Sequence, residues 1–129
     1  MTVRGAPAIG VTAAMGLALA AKHSRHSDGK MILLDVEKAA ETIRATRPTA
    51  RNLFWAVERM LGKAREAADQ GRDIRETLSA EAQLMADEDV QANRKMGAYG
   101  AELIQDGDTI LTHCNTGTMA TVSYGTAWE

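Results

Sequence analysis

Apolar residues recur at helical spacing through the first hundred positions. Ile9, Val11, Ala14, Met15 and Leu17 predict a helix that begins near Pro7-Ala8 and runs to about Lys22. This segment is apolar on most sides, which predicts burial all round. Asp28-Gly29, within Ser24 to Lys30, reads as a turn. Val36, Ala39, Ala40 and Ile43 predict a second helix from Met31 or Asp35 to Ala45, with Glu37, Lys38, Glu41 and Arg44 on its wet side. Pro48 breaks the pattern, because it disfavours helix in the residue before it. A third helix is predicted from Thr49 or Ala50 to near Gly71. Its stripe of Leu53, Val57, Met60 and Leu61 is expected to face the first helix. A fourth segment, Ile74 to Ile104, carries Leu78, Ala82, Met85, Met96, Tyr99 and Leu103 on its buried side.

The period then changes. Asp106-Gly107-Asp108 is a turn signal, and Thr109 to His113 is short and β-branched, as a strand would be. Asn115-Thr116-Gly117 follows, and a helix is expected from Thr118 or Met119. A strand, a tight polar turn and a helix form the opening unit of a doubly wound α/β sheet. A lone parallel-type strand has no partner and cannot bury both faces. The expected fold is therefore mostly α. A helical domain spans 1–105, and 106–129 is the first strand-helix unit of a truncated Rossmann-like α/β domain. Unpaired strand edges invite association, so a homodimer is expected, with apolar residues from Met119 to Val122 exposed in the monomer.

Composition narrows the function. The 129 residues carry 15 Lys and Arg against 17 Asp and Glu, a net charge of -2 that argues against a nucleic-acid partner. Aromatic residues are 4% of the chain, so the core must come from aliphatic side chains, Ala and Met. The single Cys excludes an intrachain disulfide and a Cys-x-x-Cys motif. Residues 1–21 imitate a secretory leader ending in Ala18-Leu19-Ala20, yet one charge and an Ala/Gly-rich centre make a poor one. The stretch is too weakly apolar for a bilayer, which needs about 20 apolar residues. No membrane partner is expected, and the chain is placed in the cytoplasm.

Few residues are suited to chemistry. Cys114 falls at the carboxyl end of the predicted strand, where open α/β sheets bind ligands. Helix-end N–H groups there would favour a thiolate. The plainer alternative is a small buried apolar residue. His113 points to the opposite face of a strand, so a Cys-His pair is not expected. Arg4-Gly5-Ala6 stands ahead of a helix amino terminus, a place that suits an oxyanion such as phosphate. The alternative is an exposed terminal Arg. Arg47 lies in a loop stiffened by Pro48, and its alternative role is to face a helix dipole. Asp87-Glu88-Asp89 reads as a solvated face, with no converging ligands for a metal.

Four segments together resemble the methylthioribose-1-phosphate isomerases. They are Val3-Arg4-Gly5-Ala6-Pro7-Ala8-Ile9-Gly10, Arg47-Pro48-Thr49-Ala50-Arg51-Asn52-Leu53, Glu88-Asp89-Val90-Gln91-Ala92-Asn93-Arg94, and Leu111-Thr112-His113-Cys114-Asn115-Thr116-Gly117 with Ala120-Thr121 and Tyr124-Gly125-Thr126-Ala127. They occur in that family's order across nearly the whole chain. The wider superfamily includes ribose-1,5-bisphosphate isomerase and regulatory subunits of a translation-initiation exchange factor. The resemblance implies an aldose-ketose isomerisation in methionine salvage, from methylthioribose 1-phosphate to methylthioribulose 1-phosphate, with no cofactor and no metal. It implies that Cys114 is the catalytic Cys of an acid-base pair with an Asp. It also implies that Arg4, Gly5, Ala6 and Arg47 contact a sugar-phosphate substrate, chiefly its phosphate. The chain departs from the family at both ends. It lacks a segment before the first motif and ends before the catalytic Asp, a substrate-binding Gln and an Asn-Lys pair. It is expected to be an inactive fragment of the enzyme. A non-catalytic regulatory or sugar-phosphate-binding module, or ribose-1,5-bisphosphate isomerase, is the alternative.

Overall fold

Helix boundaries follow local chemistry. In the computed structural model, which describes residues 2–49, 51–114 and 116–125, four α-helices succeed one another. Helix α1 spans Ala6–His23, with Pro7 in its first turn, where a missing N–H costs nothing. Helix α2 spans Gly29–Ala45. The Asp28-Gly29 turn signal is its cap, since Asp28 accepts a hydrogen bond from the Lys30 amide at 3.4 Å. Helix α3 spans Arg51–Asp69 and helix α4 spans Ile74–Ala101. Asp73 caps α4 by accepting from the amide of Arg75 at 2.7 Å and of Glu76 at 3.4 Å. The expected start of the third helix at Ala50 lies outside the described residues, as do Asn115 and the end of the fourth motif from Thr126.

Helix α1 lies against α2, α3 and α4. Its small residues Ala14, Ala18 and Ala21 are buried, as are Ala56, Ala64 and Ala67 of α3, so the helices approach closely. Leu17, Val36, Leu53, Val57, Met60, Ile74 and Leu78 fill the centre with no aromatic side chain among them. The α3 stripe of Leu53, Val57, Met60 and Leu61 is buried in this core, and α3 packs against α1. Contrary to its apolar composition, α1 is not buried all round. Thr12, Met15 and Leu19 form an open stripe on it, because its three neighbouring helices leave that side uncovered. Among the described residues no helix is long and apolar enough to cross a membrane.

The carboxyl-terminal expectation also changes. Thr109 to His113 forms no strand, and no strand occurs among the described residues. A β-strand needs a ladder partner to satisfy its backbone, and this stretch has none. Leu111 is 96% exposed. The helix expected from Thr118 or Met119 is one turn of 3-10 helix, Gly117–Met119. Met119 and Val122 are exposed as expected, whereas Ala120 and Thr121 are buried.

Candidate functional site

The amino end of α1 meets the segment that follows Cys114. Gly5 is the extended residue that precedes α1, and its carbonyl accepts from the Ile9 amide at 2.8 Å. The Ala8 amide, one of the orphan donors of the first turn, finds its acceptor in the Ala120 carbonyl at 3.2 Å. Gly5 is buried against the Ala120 backbone so closely that a Cβ there would overlap it. Glycine at position 5 is thus a packing requirement. Ala6 is partly buried and Arg4 is exposed. The first and fourth motifs are therefore in backbone contact, although Ala8 and Ala120 lie 112 positions apart in the numbering.

Arg47 is partly buried. It borders a cavity of about 360 Å³ with Thr2, Val3, Ile9, Ile43 and Leu53. The chain just ahead of Arg4 and the loop holding Arg47 thereby share one apolar hollow. Cys114 does not line that cavity, and its side chain is exposed. The backbone of Cys114 is left-handed, with φ 68°, a conformation that costs an L-residue roughly 1–2 kcal/mol. Gly117 shares that conformation, with φ 69°, at no such cost. The helix dipole expected to act on the thiol is not supplied, because a three-residue 3-10 turn carries almost none. His113 is exposed beside it.

The first three motifs border a second cavity, of about 340 Å³, where Pro7 and Gly10 face Asn52, Glu88 and Asn93. A Cβ on Gly10 would sit 3.0 Å from the Asn52 carbonyl oxygen, so Gly10 sets how closely α1 approaches α3. Beside this hollow Arg59 stacks over Trp55, its guanidinium 5.5 Å from the ring centre. The same guanidinium bonds Glu81 at 2.5 Å and holds both oxygens of Glu88 at 2.6 and 3.1 Å. Among the described residues no three His, Cys, Asp or Glu side chains converge as metal ligands do.

The acidic run is therefore more than a solvated face. Glu88 is tied to α3 through Arg59, and Asp87 accepts from Gln83 at 3.0 Å. Asp89 accepts from the Val122 amide at 2.9 Å and from the Asn93 amide group at 3.2 Å. The signal for the tie between Asp89 and Asn93 is their i, i+4 spacing, which makes them neighbours on one α4 face.

The Arg59 hydrogen bonds hold Glu88 below its ordinary carboxyl pKa, and partial desolvation opposes that shift. Arg59 is correspondingly raised, chiefly by Glu88, and stays charged at every working pH. A depressed carboxylate stabilises the fold above its unfolded pKa and loses that contribution as pH falls through the folded value. Stability is expected to drop as pH is lowered below about 4.5, the ordinary value for this carboxyl. Glu88 is half exposed, so its share stays within the ~0–1 kcal/mol of a surface pair. Urea midpoints measured at pH 6 and pH 3 check this: Glu88→Gln should narrow the difference between them, and an unchanged difference would contradict the assignment.

The chain belongs to the initiation factor 2 subunit family, whose description it matches over residues 2–129. Similar proteins include the methylthioribose-1-phosphate isomerases of Stenotrophomonas maltophilia, 51% identical over 127 residues, and of Syntrophotalea carbinolica, 52% identical over 128 residues. Each alignment covers 98% of this chain, but only 35% and 37% of those relatives. The chain thus spans about a third of the length of the curated relatives it matches. Among solved structures it is similar to 5-methylthioribose 1-phosphate isomerase from Pyrococcus horikoshii OT3, at 49% identity and a TM-score of 0.86, over 97% of this chain and 35% of that one. It is also similar to a structure described as the delta subunit of translation initiation factor eIF-2B from A. fulgidus, at 45% identity and a TM-score of 0.83, over 97% of this chain and 36% of that one.

Proposed function

We propose that this chain is the amino-terminal helical part of a methylthioribose-1-phosphate isomerase, which interconverts methylthioribose 1-phosphate and methylthioribulose 1-phosphate in the cytoplasm as a homodimer. The observation that carries this reading is about 50% identity to relatives of that name along nearly the whole chain, with four motifs in one order. In this reading residues 1–105 are the helical domain and 106–129 lead into an α/β domain. A phosphate on the anomeric oxygen keeps the sugar ring closed, so the reaction needs positioned groups that move protons between C1 and C2. Cys114 is assigned one of those roles. Its partner, an Asp, is expected in the part of the relatives that this chain does not span. Arg4 and Arg47 are assigned to the phosphate, where a guanidinium forms charge-assisted and often paired hydrogen bonds. Gly5 and Ala6 add the positive amino end of α1. The left-handed backbone of Cys114 supports a functional role, because strain of that kind persists where geometry serves a site.

A second reading, a non-catalytic regulatory subunit, is favoured by the likeness to the structure described as an initiation-factor subunit. A chimera separates the two. Residues 2–129 replace the aligned segment of the S. maltophilia relative, and turnover of methylthioribose 1-phosphate is measured beside ribose 1,5-bisphosphate. The isomerase reading predicts turnover of the first sugar phosphate. A folded chimera without turnover, beside an active parent, favours the regulatory reading.

A further inference from the structure

The third motif has no role in the proposed chemistry, yet its side chains converge on one place. Asp89 and Asn93 are separated by one helical turn of α4, and Arg94 adjoins them. The carboxylate of Asp89 reaches off the helix to the Val122 backbone amide at 2.9 Å, across 33 positions of sequence. The same oxygen accepts from Asn93 at 3.2 Å. Asn93 is 2% exposed, so this is a buried amide committed to orienting a carboxylate. The Arg94 guanidinium lies 5.2 Å from the centre of the Tyr124 ring. Gly97, two turns beyond Asp89, leaves its face open beside that ring: a Cβ there would sit 3.9 Å from it. The Thr121 hydroxyl donates to the Tyr124 carbonyl and closes the turn between the two anchored residues. From the other side, the Ala8 amide holds Ala120. The segment 117–124 is thus held from α1 by backbone contact and from α4 by side chains.

We infer that Asp89, Asn93 and Arg94 are positioning residues that clamp the segment following Cys114 onto the helical domain; this rests on the isomerase reading for its link to turnover. The clamp fixes where the Cys114 loop leaves the domain. Residues 102–113 form no regular secondary structure beyond the end of α4 and are exposed, so they do not restrain that loop from the amino side. The restraint comes from residues 117–124, three to ten positions after the thiol. The charge of Asp89 matters less than its acceptor oxygen, since both bonds are made by one oxygen atom. An amide carbonyl at the same place can accept both.

Two readouts test the clamp. In the 129-residue chain, Asp89→Ala should speed hydrogen exchange of the Val122 amide about three- to tenfold, the size expected for losing one hydrogen bond. Amides of the α1–α3 core should not change, and Asp89→Asn should restore most of the protection. In the chimera, Asp89→Ala should lower kcat by about 10- to 100-fold, the cost of a small misplacement of a reacting group. KM should stay nearly constant, and Asp89→Asn should recover kcat. Unchanged Val122 exchange in Asp89→Ala overturns the clamp. Faster exchange with unchanged kcat overturns the positioning role. A kcat loss that scales with a lowered unfolding midpoint, without rescue by Asp89→Asn, overturns it as well, because that pattern marks a merely structural residue. If the unsubstituted chimera has no turnover, the isomerase reading is what fails, and the exchange rates alone decide on the clamp.

Discussion

In the chimera, Cys114→Ser should lower turnover of methylthioribose 1-phosphate by about 10² to 10⁴, the usual contribution of a general acid-base group. The substitution keeps nearly the same shape. A hydroxyl, however, has a far higher pKa than a thiol and exchanges its proton less readily. Substrate binding should be almost unchanged, so the loss falls on kcat. Arg47→Ala should behave differently. It removes a charge-assisted contact assigned to the phosphate, which is made in ground and transition states alike, and should raise KM. Steady-state kinetics of the two variants separate the roles. A fully active Cys114→Ser variant would make Cys114 an exposed surface residue and remove the assigned chemistry.

The second large effect concerns the core. Leu17 is completely buried on α1, among helices α2, α3 and α4. Leu17→Ala should destabilise the chain by about 2–5 kcal/mol, the range for a buried leucine truncated to alanine. A domain of this size has roughly 5–15 kcal/mol in all, so the variant should be close to unfolding. Leu19, on the same helix, is 55% exposed. Leu19→Ala should shift stability by no more than about 0.5 kcal/mol. Urea unfolding of the pair checks the orientation of α1. Equal losses in the two variants would mean that the open stripe of Thr12, Met15 and Leu19 is covered in solution.

The helices were legible because an amphipathic helix writes its partner-facing side into a 3.6-residue period. Val36, Ala40, Val57 and Leu61 are buried where that period places them. The strand expected over Thr109 to His113 is absent for a physical reason. β-branched composition expresses a propensity to fit a sheet, and a strand also needs neighbours that no local window contains. The helix expected after Cys114 is reduced to a 3-10 turn with it, and the dipole that would act on the thiol is missing too. Burial of α1 was overestimated because its many Ala and Gly residues hide the difference between a packed side and an open one. The residue types of Arg4, Gly5 and Ala6 suit an oxyanion element, while the contact of Gly5 with Ala120 has no local signal. The clamp leaves no signature in the sequence for a related reason. Asp89 bonds a backbone amide 33 positions away, and a backbone donor leaves no mark in the residue types. Only the i, i+4 spacing of Asp89 and Asn93 marks a shared face.

This helical domain is proposed to serve a sugar-phosphate isomerase. The most direct measurement is the rate at which the chimera carrying residues 2–129 converts methylthioribose 1-phosphate to methylthioribulose 1-phosphate, compared with the parent relative. The proposal predicts turnover near the parent's, lost on Cys114→Ser, and little or none on ribose 1,5-bisphosphate. A chimera that folds and unfolds like its parent yet leaves methylthioribose 1-phosphate unchanged would contradict it.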